Sequence, residues 1–332
     1  MPYRRIGGAV RAAVYDSLTA RDAIPVLSPT ARIDGRLCLV TGANSGLGMA
    51  VATDLAARGG RVLMACRSGH HEARDDVRRA SGSDDVAMFG VDLADLDSVH
   101  RFCDELRERR LVIDVAVLNA GLMTRTARRS RQGYELMFAV HFLANRIMVD
   151  RWLRDGVLQP GRGRGGVPRI VQVTSETHRS ADPIDFDRFG EFVDFGMRDG
   201  LKYYGQSKLH SCTFAQELDR RLNPDGNVRA AVHAVCPGPV ASNIAREAPV
   251  ALKVARRPLM AVFFSSPVKA ARPVSYLCCG PDAGSRSGIY LHMMRETQPS
   301  APARDPAQGD RLWRASQKLV DQYDPSNPAL GR

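Results

Sequence analysis

Aromatic residues make up only 6% of this 332-residue chain, and no run approaches the roughly 18 consecutive apolar residues that a membrane span needs. With aromatics this scarce and arginines scattered along the chain, no nucleic-acid module is recognisable, despite a net charge of +11. No signal-peptide core opens the chain, so a cytoplasmic protein is expected. The seven cysteines are an odd number without paired metal-ligand spacing, and Cys38, Cys66 and Cys236 sit inside apolar strand-like runs. Buried reduced thiols, and no metal, are the simplest account.

What is present suffices for a large core: 44% of the residues are hydrophobic. One α/β domain over residues 34–320 is expected, with an extension at 1–33 broken by Pro25 and Pro29, and a tail at 321–332. Within the extension, Ile6, Val10, Val14 and Leu18 recur at helical spacing over residues 3–18, with Arg4, Arg5 and Arg11 elsewhere on the helix. Such a helix could make a weak peripheral contact with an anionic membrane, or pack on its own domain or on a partner.

The richest stretch is Leu37-Cys-Leu-Val-Thr-Gly-Ala-Asn-Ser-Gly-Leu-Gly48. Leu37 to Val40 reads as a buried strand and Met49 to Arg58 as a helix, with Gly42, Gly46 and Gly48 in the turn between. A turn that tight leaves backbone amides open to a pyrophosphate, and the helix N-terminus adds further amides and its dipole. That is the physics of a dinucleotide site, and a basic surface also attracts such an anionic cofactor. Gly161-Arg-Gly-Arg-Gly-Gly166 is richer in glycine but lacks the flanking strand and helix, so a loop is expected there.

Arg61 to Cys66 reads as a second strand, followed by Arg67. An acid at that point would bind a ribose 2′-hydroxyl, whereas arginine suits a 2′-phosphate, so NADP is expected over NAD. Val86 to Val91 is a third strand ending at Asp92-Leu93, where Asp92 either accepts from the adenine amino group or caps the helix Asp95 to Arg109. Val112 to Leu118 forms a fourth, ending in Asn119-Ala120-Gly121, where small residues let backbone approach the cofactor. A helix over 134–154, a fifth strand Arg169 to Ser175, a helix from about Leu201 to Leu222 and a sixth strand Arg229 to Val235 complete the rhythm. Strand and helix alternating in this way predict a single doubly wound parallel sheet with helices on both faces, its ligand at the carboxyl ends of the strands.

Tyr204 and Lys208 are four apart on the predicted helix and share a face. An ammonium beside a phenol favours phenolate and makes tyrosine a usable acid or base. Ser175, at a strand's carboxyl end, lies beside the expected crevice.

With these parts in order, the chain resembles the short-chain dehydrogenase/reductase family over about residues 34–320. Thr41 to Gly48 matches its cofactor loop, Asn119 to Gly121 its sheet motif, Ser175, Tyr204 and Lys208 its catalytic set, and Pro237-Gly238 its nicotinamide-side turn. Ala65-Cys-Arg-Ser68, the spacer with Ile184-Asp-Phe-Asp187, Ser207-Lys-Leu209 and Leu312-Trp-Arg-Ala-Ser316 resemble the retinol-dehydrogenase-like branch. The resemblance implies a Rossmann-type fold and hydride transfer between NADP(H) and a small-molecule carbonyl or alcohol. Tyr204 would exchange the proton, Ser175 would bond the substrate oxygen, and Lys208 would lower the tyrosine pKa and hold the ribose. Gly42, Asn44, Ser45, Gly46, Leu47, Gly48, Arg67, Asp92, Leu93, Asn119, Ala120, Gly121, Pro237, Gly238 and Val240 would line the cofactor together with Tyr204 and Lys208.

One residue departs from the family pattern: His141 stands where a relay asparagine is usual, which puts the proton relay in question. Histidine can hydrogen-bond and shuttle protons, and Asn145, one turn on, is an alternative. Ser242 stands where the family favours threonine. Residues 241–271 are expected to form an apolar substrate lid, and with the phenylalanine-bearing spacer (Phe189, Phe192, Phe195) they suggest a lipophilic aldehyde, ketone or alcohol, with hydrophobic packing as the alternative. A non-catalytic NADP-binding scaffold or regulatory protein derived from such an enzyme stays open beside the oxidoreductase. Pairing of the helices around 134–154 and 201–221 across a two-fold would give a homodimer, with Arg146, Arg151 and Arg154 either repelling or bridging to Glu217 and Asp219.

Overall fold

The computed structural model describes residues 23–68, 71–240 and 265–324. Strand β1 (Leu37–Thr41), helix α1 (Gly46–Ala57), β2 (Arg61–Cys66), α2 (His71–Ser81), β3 (Val86–Gly90), α3 (Leu96–Glu108) and β4 (Val115–Leu118) alternate along the first half. Helix α4 follows in three pieces, Leu136–Phe138, a π-helical turn Ala139–Leu143, and Ala144–Arg154. Then come β5 (Arg169–Val173), α5 (Gly200–Leu222), β6 (Ala231–Cys236), α6 (Pro267–Cys279), β7 (Tyr290–His292), β8 (Arg295–Thr297) and α7 (Pro306–Tyr323).

The sheet runs β3-β2-β1-β4-β5-β6-β7-β8, parallel from β3 to β7 with β8 antiparallel at the edge. The chain winds outward from β1 to β3 and returns to place β4 on the other side of β1. Loops leaving β1 and β4 therefore diverge and open a crevice at the carboxyl ends. Strands β1, β4, β5 and β6 are buried along their whole length, which is why apolar residues fill both faces rather than alternating, with Arg169, Gln172 and His233 the polar residues of β5 and β6. One face packs Leu39, Phe102, Phe142 and Trp152 among α3, α4 and α5. The other packs Val40, Val51, Leu55 and Leu277 between α1 and α6.

Element ends differ from expectation by local chemistry. Helix α1 starts at Gly46, inside the glycine loop, because Ser45 is its extended N-cap residue. Strand β4 starts only at Val115, since Asp114 turns inward to accept the Leu37 amide at 2.8 Å. Of the expected lid, residues 241–264 lie outside the described residues. Residues 267–271 begin α6, with Ala270 and Ala271 buried on the core, so this part is scaffold and not lid. The helix expected over 3–18 is also outside the described residues, while Ala23 and Ile24 run beside β8, Ile24 N donating to Met294 O at 2.8 Å.

The C-terminal helix α7 packs on α4 and α5. Trp313 of α7 stacks on Phe214 and lies under the guanidiniums of Arg146, at 3.9 Å, and Arg221, at 4.5 Å. Arg146, fully buried, also donates to Gln317 at 2.5 Å and pairs with Asp150, while Arg154 reaches Asp324. Arg151 pairs with Asp104 and Asp155. Within the chain, Arg146, Arg151 and Arg154 pair with neither Glu217 nor Asp219 among the described residues; Glu217 pairs with Arg220 and Arg221. The expected tail beginning at 321 is in part the last turn of α7.

Candidate active site

At the β1 end, Gly42 and Gly46 adopt φ of +65° and +55°, a region that side chains disfavour. Gly48 faces the loop so closely that a Cβ there would press into the Gly42 carbonyl and lie 2.5 Å from Asn119 Nδ2. Asn119 does not point outward: its Nδ2 donates to Thr41 O at 2.8 Å, and Thr41 Oγ1 accepts from the amides of Asn119 and Ala120 at 2.9 and 3.0 Å. Thr41 and Asn119 thus stitch the two loops that diverge at the crevice. Ser45 spends no side-chain bond on capping α1. The cradle has the narrowness that the close approach of a pyrophosphate requires.

Around this cradle the other expected cofactor residues fall into two groups. Asn44, Arg67, Asp92, Ala120, Gly121, Gly238 and Val240 retain exposure at the carboxyl ends, whereas Leu47, Leu93 and Pro237 are buried, Leu47 and Leu93 in the core clusters. Arg67 follows β2, exposed and without an ion pair among the described residues. Asp92 does not cap α3; Asp95 does, accepting from Asp97 N at 3.1 Å. Asp92 Oδ1 accepts from Ala94 N at 2.9 Å. Gly238 has φ of +80° and sits against Met293.

Helix α5 brings Tyr204 and Lys208 to the far wall of the crevice, and Ser175 approaches as the N-cap of the short 3₁₀ turn Glu176–Ser180. Burial raises the Tyr204 phenol above its ordinary value, Cys236 adds to that, and a hydrogen bond from Ser175 pulls the other way. Lys208 donates to Val173 O at 3.2 Å, 5.7 Å from the tyrosine ring, and burial brings its ammonium down to about 8. Desolvation, and not Lys208, thus dominates the environment of the phenol.

His141 occupies the π-helical turn of α4 and is almost wholly buried. Its Nε2 accepts the Leu122 amide at 3.0 Å, so Nδ1 carries the proton and donates to Ser207 Oγ at 2.8 Å. Ser207 in turn donates to Tyr204 O at 2.7 Å. Burial and the neighbouring Lys208 push the imidazole pKa well down. A proton shuttle through His141 would need the lone pair already given to Leu122; the geometry makes it a clamp between the β4 loop and α5. Asn145 points back at the π turn, donating to the freed His141 carbonyl at 2.8 Å alongside Ser211 at 2.9 Å. His178 clamps the serine in the same manner, bonding Ser175 O through Nδ1 at 2.7 Å and accepting from Ser300 N at 3.0 Å. Sequence spacing does not give these roles, because each joins a nearby carbonyl to a distant group: Ser300 N for His178 and the His141 ring for Ser207.

The spacer aromatics pack beside α5, where Phe189 also lines a cavity of about 200 Å³ with Phe138, Tyr203 and Ser207. Phe186 and Phe189 pack with Phe138, Phe142 and His210, Phe195 stacks on Tyr203 at 4.3 Å, and Phe192 lies under Arg129. These rings pack α5 in place.

A model of the short chain dehydrogenase family matches residues 36–183. Bovine (Bos taurus) dehydrogenase/reductase SDR family member 13 is 33% identical over 293 residues, covering 87% of this chain and 74% of its own. Human retinol dehydrogenase 14 is 31% identical, covering 86% of each chain. The chain belongs to the short-chain dehydrogenase/reductase family. Within it, the chain falls in the retinol-dehydrogenase-like branch, and it is an oxidoreductase of the hydride-transfer, nicotinamide-using kind. Mouse (Mus musculus) polyprenol dehydrogenase, at 31% identity over 89% of this chain, is a further relative. An uncharacterised protein of Mycobacterium paratuberculosis superposes with a TM-score of 0.66 at 25% identity over 89% of this chain and 98% of its own. The NADP complex of Pseudomonas aeruginosa RhlG, at 20% identity, covers 85% of this chain and 100% of its own with a TM-score of 0.60 and shares the fold.

In this dehydrogenase/reductase one trio of potential metal ligands lies together among the described residues: Glu176, Cys236 and His292. Glu176 is already committed, accepting from the Tyr290 hydroxyl at 2.6 Å and from Arg179, and its amide donates to Cys236 Sγ at 3.3 Å. Burial raises the Cys236 thiol to about 12. The trio braces the Ser175 turn against β6 and β7. All seven cysteines are unpaired and buried, as their apolar surroundings suggest.

Proposed function

We propose that the protein is an NADP(H)-dependent short-chain oxidoreductase that interconverts a lipophilic aldehyde or ketone and its alcohol. The grouping of Ser175, Tyr204 and Lys208 on the wall facing the Gly42–Gly48 cradle carries this reading. The nicotinamide supplies or accepts the hydride. Tyr204, neutral because it is desolvated, hands its proton to the substrate oxygen as the alcohol forms, while Ser175 fixes that oxygen by a hydrogen bond. Lys208 holds positive charge beside the phenol and supports the phenolate that remains.

Arg67 supports NADP over NAD: it is exposed after β2 without a competing carboxylate among the described residues, and no acid stands there to receive a 2′-hydroxyl. Lipophilic substrates are supported by Met197 and Leu201, which lie 65% and 45% exposed just before Tyr204, and by relatives named as retinol and polyprenol dehydrogenases. A non-catalytic role drew on His141, but the π turn accommodates that ring and Ser175 lowers the Tyr204 phenol against the effect of burial.

NADPH and NADH binding by fluorescence, followed by turnover of a panel of lipophilic carbonyls, tests the proposal. Tyr204→Phe should lose on the order of 10³-fold in kcat with cofactor binding intact. Arg67→Ala should weaken NADPH far more than NADH. Binding without turnover on any substrate, or an unaltered rate in Tyr204→Phe, would refute catalysis.

A further inference from the structure

The end of the sheet opposite the crevice holds a second, strongly basic cavity of about 240 Å³, lined by Arg32, Ile33, Asp34, Arg36, Arg164, Gly165, Arg169 and Cys279. Arg36 precedes β1 and Arg169 opens β5; they are only 5% and 7% exposed. Neither has a carboxylate partner among the described residues. Arg36 donates only to backbone carbonyls, Val167 O at 3.1 Å and Asp114 O at 3.4 Å, and Arg169 donates to Gly280 O at 2.9 Å and Leu277 O at 3.2 Å. The Nε of each has no partner at all, and the two guanidiniums are close enough that Arg36 disfavours the charge on Arg169. Burying a charge without a counterion is costly, and burying two side by side more so.

The glycine-rich loop 161–166 finds its place here. Gly165 and Gly166 take φ of +67° and +130°, and the Arg164 amide donates to Asp114 Oδ1 at 2.6 Å, which sets Arg164 on the rim. The buried carboxylate of Asp114 is spent on that amide and on Leu37 N, and Asp34 is paired with Arg32. Four guanidiniums against the two carboxylates Asp34 and Asp114 leave a surplus of two positive charges around the cavity. A monoanionic carboxylate would neutralise half of that; a phosphoryl group, at about −1.5 to −2 near pH 7, matches it and offers acceptor oxygens for guanidinium forks.

We propose that this cavity, formed by Arg36, Arg169, Arg164 and Arg32 at the amino ends of β1 and β5, is a phosphate-binding site separate from the cofactor crevice. Its ligand is a phosphoryl group, either free or at the head of a lipid.

Titration of the full-length protein with inorganic phosphate by calorimetry tests this, with NADPH saturating so that the glycine cradle is filled, and with sodium chloride at matched ionic strength as the reference. One saturable phosphate per chain is expected, weakened at least tenfold in Arg36→Gln. Should that variant fail to fold, the surface double substitution Arg32→Ala with Arg164→Ala decides, with the same loss expected. Vesicles of phosphatidylcholine with and without phosphatidylinositol 4-phosphate separate the sources: Arg164-dependent capture on the phosphorylated lipid assigns a headgroup, and phosphate binding without capture assigns a free anion. No saturable effect beyond chloride, binding that survives both sets of substitutions, or binding abolished when NADPH fills the crevice would overturn the proposal.

Discussion

His141 Nε2 accepts the backbone amide of Leu122 at 3.0 Å, which fixes the imidazole as a neutral acceptor beside the Lys208 ammonium. A side chain at Gly121 would meet His141 Nε2 at 3.4 Å and Lys208 Nζ at 3.6 Å, so both groups close on the same stretch of the β4 loop. A protonated ring would lose the Leu122 bond and face a second cation. The ring is therefore expected to stay neutral at pH values where a free imidazole takes up a proton, and ¹⁵N NMR of the imidazole should report the Nδ1–H tautomer there. A ring that protonates near its ordinary value would show the clamp to be wrong.

The clamp's effect on catalysis follows from what it holds. His141→Ala frees the Leu122 amide and loosens Ser207, which bonds the Tyr204 carbonyl. Misplacing a reacting group by about 1 Å can cost on the order of 10²-fold in rate. The expected outcome is a loss of that order in kcat, with the pH dependence of the rate unchanged because no proton passes through the ring. A shifted pH profile in the variant would instead restore His141 to the proton path.

Gly48→Ala should abolish cofactor binding. Its Cβ would enter the Gly42 carbonyl and crowd Asn119 Nδ2, both of them parts of the stitched cradle. Overpacking of this kind costs about 1–3 kcal/mol, and here it must move backbone that presents amides to the ligand. Melting curves with and without NADPH report both effects: a lowered Tm alone, with the cofactor-induced rise intact, would mean the cradle adapts.

The parallel strands and the glycine cradle were legible because buried strands are apolar throughout and a tight turn excludes side chains, so Leu37–Thr41 and Gly42 to Gly48 announce themselves locally. Tyr204 and Lys208 were legible by helical spacing. Less of the rest could be read. Whether Phe189 lines a pocket or packs on Phe138 depends on which face of α5 it meets, and local composition is the same either way. The α7 cover over Arg146 depends on Trp313, 167 positions away in sequence, and the role of His178 depends on Ser300. Long-range partners of single side chains leave no period to read.

On the proposed reading, Lys208 is expected to set a pH limit on reduction. Its ammonium, lowered to about 8, is protonated below that value and neutral above it. Since kcat/KM for the cofactor reports the free enzyme, it should be level through neutral pH and fall above about 8. Lys208→Arg keeps its charge to well above pH 12, so its profile should lose this inflection even where the rate is lower. An inflection at the same pH in that variant would assign it to another group.

Acid stability rests on a set of histidines held neutral by burial. His178, His210 and His233 are lowered to about 4, His100 is lowered too, and His141 lies well below its usual value. In the unfolded chain each takes up a proton near pH 6.5, whereas the folded chain refuses it until far lower. Between those limits the unfolded state binds more protons, so stability falls as pH falls, by up to about 1.4 kcal/mol per pH unit for each histidine. Urea midpoints should therefore be level above about pH 7 and drop steeply from about pH 6 toward 4. Replacing one member removes its share of the slope: His233→Gln, whose ring bonds only Ala283 O among the described residues, should flatten the curve by about one proton. Midpoints that stay constant down to pH 5 would mean that these rings protonate in the folded protein, and with them the neutral clamp at His141 would fall.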